Sequence, residues 1–259
     1  MRYFTICLCL LFISCNYSTD KKVRKPVSIK TVEIKDQEPK ITIEKIIIYS
    51  KDSLPITADV YKVNDKEPTI LLCHQAGYSR GEYKNTALKL MKLGFSSIAI
   101  DQRSGKGVNG IDNETALAAV ERNLPTNYLD ARPDIEAAID FMYEKNGNQA
   151  ILLVGSSYSA TLALIIGNES SKVKAIAAFS PGEYYKSIDV KNTIKDISKP
   201  TFVTSSKKES EALTELISLI NPTIITHYTP KEEGIHGSRA LWKSTEGNES
   251  YWVAFKKIL

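Results

Sequence analysis

The chain has 259 residues, of which 42% are hydrophobic and 25% charged, and its formal net charge at pH 7 is +4. This is an ordinary globular balance, which allows one sizeable core and a single α/β domain rather than two. No internal repeat occurs at the periods of solenoid proteins, so a repeat architecture is excluded.

The first 15 residues are predicted to be a signal segment. Arg2 gives a short positive region, and the mostly apolar run Tyr3–Ile13 is too short to span a bilayer stably. The run leads into Cys15 and resembles a bacterial lipobox in which Phe12 replaces the usual Leu. We therefore expect cleavage and lipidation at Cys15, which would anchor the protein in the bacterial cell envelope. A plain secretory signal and an uncleaved anchor are the alternatives.

Residues 16–40 are predicted to be a flexible polar tether, and residues 41–259 the folded domain. The tether holds seven Lys or Arg residues against four acidic ones. Together with Arg2, these residues account for the net charge, so the folded domain is close to neutral. The basic charge is therefore a property of the tether, and nucleic acid is not an expected partner.

The four cysteines leave no pair for a disulfide inside the mature chain. Cys7 and Cys9 would be removed with the signal, and Cys15 would carry the lipid. Only Cys73 remains, although an envelope location would permit disulfides. Because Cys73 lies in an apolar strand, we expect it to be an inert core residue.

Predicted strands and helices alternate along residues 41–259. The strands cover 41–49, 56–61, 69–73, 97–101, 151–155, 173–179, 200–204 and 223–228. The helices cover 85–93, 116–122, 130–144, 158–167, 189–197, 209–220 and 238–257. The first two strands are expected to be antiparallel. The alternation of strands and helices that follows predicts a doubly wound, mostly parallel sheet with helices on both faces. Only about twenty residues separate Phe179 from Pro200, so no large cap domain is expected.

Residues 151–160 combine an apolar strand, a tight turn and the start of a helix, with Ser157 at the apex. A junction of this kind can present a serine as a nucleophile. The turn requires small neighbours, and Gly155 meets that requirement, whereas Ser159 occupies a position where Gly is usual. Short motifs have many false matches, so an ordinary strand-to-helix turn is the alternative.

A serine nucleophile needs a base, and the base needs a carboxylate that fixes its tautomer. His236 lies in a loop flanked by glycines after the last predicted strand and is the predicted base. His227 lies inside that strand, where we expect a structural role. Glu209, after the preceding strand, is the predicted acid, and Glu183 is the alternative acid.

The order Ser157, Glu209, His236 is the order of nucleophile, acid and base in the α/β-hydrolase fold. The chain resembles a small α/β hydrolase of the dienelactone-hydrolase-like or esterase- and peptidase-like type, from roughly residue 46 to residue 259. The segments that carry the resemblance are His-Gln-Ala-Gly at 74–77, Asp-Gln-Arg-Ser-Gly at 101–105, Gly-Ser-Ser-Tyr-Ser at 155–159, Ser-Pro-Gly at 180–182 and Ile-His-Gly at 235–237.

The resemblance implies an oxyanion hole made of two backbone N–H groups. One belongs to Tyr158, and the other to Ala76 or Gln75, with the choice left open. Gln75 could instead contact the substrate through its side chain. The side chains expected to line an open pocket are those of His74, Tyr158, Tyr184 and Tyr185. In the loop after the fourth strand, Asp101 and Arg103 are expected to brace the chain as a buried ion pair.

These features predict a serine hydrolase that cleaves a carboxylic ester, or a related acyl bond of a small molecule, through a Ser-His-Glu triad and an acyl-enzyme. The alternatives are a peptidase or thioesterase on the same fold, and a non-catalytic envelope lipoprotein that uses the scaffold as a binding module. No cofactor and no metal are expected, since the sequence lacks a metal-ligand cluster, a phosphate-binding glycine loop and a dinucleotide fingerprint. The sequence does not predict the oligomeric state.

Overall fold

The computed structural model describes residues 40–259. The predicted signal segment with Cys15, and all of the predicted tether except Lys40, lie outside the described residues. In the part that is described, no helix has both the length and the apolar character needed to cross a membrane.

Among residues 40–259, eight strands form the main sheet, and two form a small hairpin. In chain order the strands are β1 (Ile41–Tyr49), β2 (Pro55–Val63), β3 (Ile70–Cys73), β4 (Ser97–Ile100), β5 (Gly107–Val108), β6 (Ile111–Asp112), β7 (Ile151–Ser156), β8 (Val173–Phe179), β9 (Thr201–Thr204) and β10 (Ile225–Tyr228). The main sheet has the order β1-β2-β4-β3-β7-β8-β9-β10. The β1–β2 and β2–β4 pairs are antiparallel, and the remaining pairs of this sheet are parallel.

Seven α-helices accompany the sheet in the described part of the chain. They are α1 (Lys84–Lys92), α2 (Glu114–Glu121), α3 (Arg132–Lys145), α4 (Tyr158–Glu169), α5 (Val190–Thr193), α6 (Ser210–Leu216) and α7 (Asn248–Phe255). Helices α1 and α7 pack on one face of the sheet, and α3, α4 and α6 pack on the other. Along β7, Leu153 enters one core and Leu152 the other, which explains why this strand is apolar throughout.

The predicted mostly parallel sheet with helices on both faces is confirmed, with strand ends shifted by one or two residues. The terminal helix predicted over most of 238–257 is confirmed only for the second half of that range. A 3₁₀ turn covers Gly237–Leu241, and α7 begins only after Gly247, which has a left-handed φ of 75°. A left-handed residue interrupts a right-handed helix, so the apolar pattern of this segment continues across a break.

Residues 180–200 contain only the single turn of α5, so no cap domain stands on this part of the chain. The hairpin β5–β6, which the sequence analysis did not predict, lies in the loop after β4. The carboxyl ends of β3, β4, β7, β8, β9 and β10 lie along one edge of the sheet, where ligands bind in folds of this kind.

The predicted ion pair between Asp101 and Arg103 is wrong, because each charge has another partner. Asp101 is fully buried and accepts hydrogen bonds from the Arg80 guanidinium at 2.6 Å and from the Arg80 N–H at 2.7 Å. Arg103 donates to Asp134 at 2.7 Å and to Asp52 at 2.7 Å. The loop after β4 is thus braced through contacts with the segment after β3 and with α3.

Candidate active site

Ser157 occupies the sharp turn between β7 and α4. Its backbone has φ 58° and ψ −122°, a conformation that side-chain-bearing residues adopt rarely and at an energetic cost. The Ser157 N–H donates to the Phe179 carbonyl at 2.8 Å, so the end of β8 holds the turn in place. A strained turn of this kind, at the end of a central strand, exposes a serine hydroxyl at the carboxyl edge of the sheet.

The contacts of Gly155 and Ser159 explain how the turn accommodates a serine at position 159. A Cβ atom on Gly155 would collide with the Ser159 carbonyl, so only glycine fits at position 155. The Ser159 hydroxyl donates to the His74 carbonyl at 2.6 Å and accepts a hydrogen bond from the Gln102 amide. Ser159 is therefore fully bonded, and its side chain ties α4 to the loops after β3 and β4.

His236 and Glu209 are in direct contact through His236 Nδ1 and Glu209 Oε1. His236 lies in the loop after β10, and Glu209 ends the 3₁₀ turn that follows β9. An ionised carboxylate can only accept, so Nδ1 carries the proton and Nε2 is left as an acceptor. Within residues 40–259, His236 Nε2 makes no hydrogen bond, which leaves it available as a base.

Three further donors fix the Glu209 carboxylate. Its Oε2 accepts hydrogen bonds from the Ser206 N–H at 3.0 Å, from the Ser206 hydroxyl at 2.7 Å and from the Ser180 hydroxyl at 2.9 Å. Burial raises the pKa of Glu209, but the hydrogen bonds from His236 and Ser206 outweigh it and bring the pKa to about 2. Glu209 is consequently ionised at neutral pH.

Ser180 and Ser206 are site residues for which the sequence did not predict a role. Ser206 to Glu209 forms a capping box, and the Ser-x-x-Glu pattern was a readable signal for it. Ser180 had a weaker signal, its position directly after β8. It adopts a left-handed φ of 56°, and its hydroxyl also accepts a hydrogen bond from the Gly237 N–H at 2.9 Å.

The segment after His236 is anchored beside Ser157. The Ser238 N–H donates to the Ser156 hydroxyl oxygen at 2.8 Å. A Cβ atom on Gly237, whose φ is 75°, would approach that same oxygen to 2.6 Å, so the close approach requires glycine. The residues that follow the histidine therefore pack directly against the residue that precedes the nucleophile.

Of the two candidate donors in the loop after β3, only Ala76 is free. The Gln75 N–H donates to Glu82 Oε2 at 2.7 Å, so the prediction of Gln75 as an oxyanion donor is not supported. The Gln75 side chain is buried, and within residues 40–259 its Oε1 accepts no hydrogen bond. Within residues 40–259, the Ala76 N–H makes no hydrogen bond. The Tyr158 N–H opens α4, where the first N–H groups lack helical partners.

Residues 64–219 match the protein-family model described as serine aminopeptidase, S33. This match covers more than half of the chain. The chain belongs to this family of α/β hydrolases. No curated protein sequence matches it.

Solved structures share the fold of this S33-family chain at low sequence identity. An esterase of Pyrococcus furiosus superposes with a TM-score of 0.63 at 16% identity, over 84% of this chain and 91% of the esterase. A dienelactone hydrolase from Anabaena variabilis gives 0.61 at 13% identity, over 84% and 95%. An acylaminoacyl peptidase of Pyrococcus horikoshii gives 0.60 at 16% identity, over 84% of this chain and 41% of the peptidase. At these identities the likeness establishes the α/β-hydrolase fold.

The prediction that His74 lines the substrate pocket of this S33-family chain is corrected by its burial. His74 is fully buried, with Nδ1 2.8 Å from the Gln75 carbonyl and Nε2 accepting from the Gln102 N–H at 2.9 Å. Burial lowers the pKa of His74 to about 4, although these backbone hydrogen bonds act in the opposite direction. His74 is therefore a neutral brace between the loops after β3 and β4.

Only one of the three tyrosines predicted to line the pocket stands beside the nucleophile. Tyr185 is buried, and its hydroxyl donates to the Tyr158 carbonyl at 2.7 Å. The Tyr158 ring is also buried and stacks on Tyr128, with ring centroids 4.7 Å apart. Tyr184 is half-buried, and its hydroxyl donates to the Ser180 carbonyl at 2.9 Å. Burial raises the pKa of Tyr184, and the nearby Ser157 side chain acts against that rise. Tyr184, with the partly exposed Tyr128, is the aromatic side chain at the site.

Glu183, the alternative acid, serves a different element. Its Oε2 accepts a hydrogen bond from the Val190 N–H at 3.0 Å, and its Oε1 accepts one from the Lys191 N–H at 3.0 Å. Both donors belong to the first turn of α5, where a carboxylate also meets the positive end of the helix dipole. Glu183 thus caps α5, and the contact with His236 belongs to Glu209.

Proposed function

We propose that this protein is a serine hydrolase that cleaves carboxylic esters of small molecules, with Ser157 as nucleophile, His236 as general base and Glu209 as the acid that orients it. The main support is the hydrogen bond between Glu209 and His236 Nδ1, at the sheet edge where the strained turn presents Ser157. The family match adds support for hydrolase chemistry.

In the proposed acylation step, the Ser157 oxygen attacks the acyl carbon while His236 Nε2 takes its proton. The Ala76 and Tyr158 N–H groups donate to the resulting oxyanion, and donors fixed in advance contribute several kcal/mol to such steps, about 3–4 kcal/mol for each. The tetrahedral intermediate then collapses, and His236 returns the proton to the leaving alcohol. A water molecule, deprotonated by His236, hydrolyses the acyl-enzyme and regenerates Ser157.

Glu209 contributes through its charge and its fixed orientation. Because its pKa is about 2, it remains a carboxylate throughout the reaction and stabilises the positive charge that forms on His236. Its hydrogen bonds with Ser206 and Ser180 hold it in place. Within residues 40–259, His236 is its only salt-bridge partner, so its charge acts on the histidine.

A second candidate is hydrolysis of a short peptide bond, which the serine aminopeptidase family match favours. We rank the ester first because the mechanism needs only the groups described above, whereas an aminopeptidase also needs a group that holds the free ammonium of its substrate. Tyr184 and Tyr128 would contact the acyl or leaving group in either case.

The test is turnover of p-nitrophenyl esters of increasing acyl length, compared with aminoacyl p-nitroanilides, by the wild type and Ser157→Ala. We expect ester hydrolysis that the substitution abolishes. Turnover of the anilides alone would move the assignment to the peptidase, and ester turnover that survives in Ser157→Ala would contradict the proposal.

The location is a separate proposal that rests on the sequence of residues 1–15. We propose that Cys15 carries a lipid that anchors the protein in the bacterial cell envelope. Metabolic labelling with a fatty-acid analogue should mark the wild type and not Cys15→Ser, and equal labelling of both would contradict it.

A further inference from the structure

A carboxylate that takes no part in the proposed chemistry lies fully buried behind the site. Glu82 belongs to the 3₁₀ turn Arg80–Tyr83, which follows the loop after β3. The two other fully buried carboxylates among residues 40–259, Asp101 and Asp134, each pair with an arginine. Glu82 forms no salt bridge in that part of the chain, so its retention in the interior needs another explanation.

Three hydrogen-bond donors converge on the Glu82 carboxylate. The Gln75 N–H donates to Oε2 at 2.7 Å, and the hydroxyls of Ser156 and Ser238 each donate to Oε1 at 2.7 Å. The Ser156 hydroxyl donates to Glu82, and its oxygen accepts a hydrogen bond from the Ser238 N–H at 2.8 Å. The backbone takes part as well, since the Trp242 indole N–H donates to the Glu82 carbonyl at 2.9 Å.

The three donors come from three separate parts of the proposed machinery. Gln75 directly precedes the oxyanion donor of the β3 loop. Ser156 directly precedes the nucleophile, and Ser238 stands two residues after the base. One carboxylate therefore connects the oxyanion loop, the strained turn and the histidine loop, which are far apart in the chain.

The energetic cost of this arrangement indicates that it serves more than stability. Burial raises the pKa of Glu82, and the hydrogen bonds from Ser238, Gln75 and Ser156, together with the charge of Arg239, act against that rise. An apolar side chain of similar size would avoid the cost of burying a carboxyl group. It would also leave the Gln75 N–H and the two hydroxyls without acceptors and free to move relative to one another.

We propose that Glu82 is a positioning residue that sets the relative placement of the Ala76 N–H, the Ser157 hydroxyl and the His236 ring. This inference rests on the proposed function. Glu82 touches neither the substrate nor the reacting atoms and acts through Gln75, Ser156 and Ser238. Its loss should slow the chemical step more than it weakens substrate binding, because misplacement by about 1 Å can cost roughly 10²-fold in rate.

The decisive variants are Glu82→Gln and Ser238→Ala, each assayed for kcat and KM on the best ester. A glutamine has one acceptor oxygen, whereas the donors contact both carboxylate oxygens, so the network cannot be rebuilt. We expect kcat to fall by at least about tenfold with KM changed by less than about threefold. Ser238→Ala removes one donor and should show the same split to a smaller degree.

The matched control is Asp134→Asn, which alters another fully buried carboxylate. Asp134 accepts hydrogen bonds from Arg103 and, within residues 40–259, forms no hydrogen bond with the three catalytic segments. This variant should lose thermal stability while keeping kcat within about twofold below its unfolding temperature. A parallel loss of kcat in Asp134→Asn and Glu82→Gln would show that any buried carboxylate has this effect, and would overturn the inference.

The remaining outcomes separate this inference from the proposed function. A wild type that neither hydrolyses esters nor reacts with a serine-directed probe overturns both. An active wild type with unchanged kcat in folded Glu82→Gln overturns the positioning role alone. If Glu82→Gln fails to fold, Ser238→Ala decides, and an unchanged kcat in that variant overturns the positioning role.

Discussion

Two histidines follow strands at the same edge of the sheet, and their surroundings give them opposite properties. His74, after β3, is fully buried, and backbone groups occupy both ring nitrogens. The His236 side chain, after β10, is 34% exposed, with one nitrogen on Glu209 and the other without a partner in the described part of the chain. A histidine at the carboxyl end of a strand is therefore suited to catalysis only when a carboxylate orients it and one nitrogen stays accessible.

The largest expected effect that distinguishes the two histidines is on turnover. His236→Gln should lower kcat by about 10³-fold or more, since no other described group can take the Ser157 proton. The unfolding temperature should change little because His236 is partly exposed. Ester hydrolysis and a thermal melt measure both quantities, and near-normal turnover in the folded variant would remove His236 from the proposed triad.

The next largest effect concerns the carboxylate that gives His236 its orientation. Glu209→Gln should reduce kcat by roughly 10²- to 10⁴-fold, because the amide cannot stabilise a charged imidazole as the carboxylate does. Glu183→Gln is the matched control: it weakens the cap of α5 and should leave kcat within about twofold. A larger loss in Glu183→Gln than in Glu209→Gln would reverse the assignment of the acid.

The pH dependence of stability should reveal the buried histidine. His74 has a pKa of about 4 in the folded state against 6.5 ordinarily, so the unfolded chain binds more protons between these values. Its contribution to the free energy of unfolding is full above pH 6.5 and is lost as pH falls to about 4, by about 3 kcal/mol in total.

This contribution is best measured as the difference in unfolding free energy between the wild type and His74→Asn at each pH. The subtraction is needed because Asp101, whose pKa burial raises to about 6, changes stability in the opposite direction over the same range. A difference that stays constant from pH 7 to pH 4 would show that His74 is protonated as easily in the fold as in the unfolded chain.

The smallest effect concerns the brace between the His74 loop and α4. Ser159→Gly restores the residue usual at this position and removes the hydroxyl that donates to the His74 carbonyl. We expect a loss of about 1 kcal/mol in the free energy of unfolding, with kcat changed by less than about threefold. Denaturant unfolding and ester turnover test this, and a more stable variant would show that Ser159 crowds the turn.

Strand placement was largely predictable because buried parallel strands are short apolar runs with few competing interpretations. Helix ends were less predictable from the sequence. The segment after His236 keeps an apolar pattern across the left-handed Gly247, so the pattern does not show that the helix begins only after this residue. The hairpin β5–β6 has only two residues per strand, too few for alternation to be visible.

For the site, the order of Ser157, Glu209 and His236 was readable because their types and loop positions are restricted by chemistry. The sequence could not tell that Gln75 N–H is committed to Glu82, since that contact depends on how the chain folds back seven residues later. The sequence also could not predict that His74 and Tyr185 are buried, because histidine and tyrosine occur both in pockets and in cores. A polar residue that acts through other residues, such as Glu82, carries no motif of its own.

The most direct test of the account is the site of covalent labelling by a fluorophosphonate, mapped by mass spectrometry of the intact protein and its peptides. We expect one adduct, on Ser157, whose formation is lost in Ser157→Ala and strongly slowed in His236→Gln. A folded, ester-hydrolysing wild type that is labelled elsewhere, or not labelled at all, would contradict the assignment of Ser157 as the nucleophile.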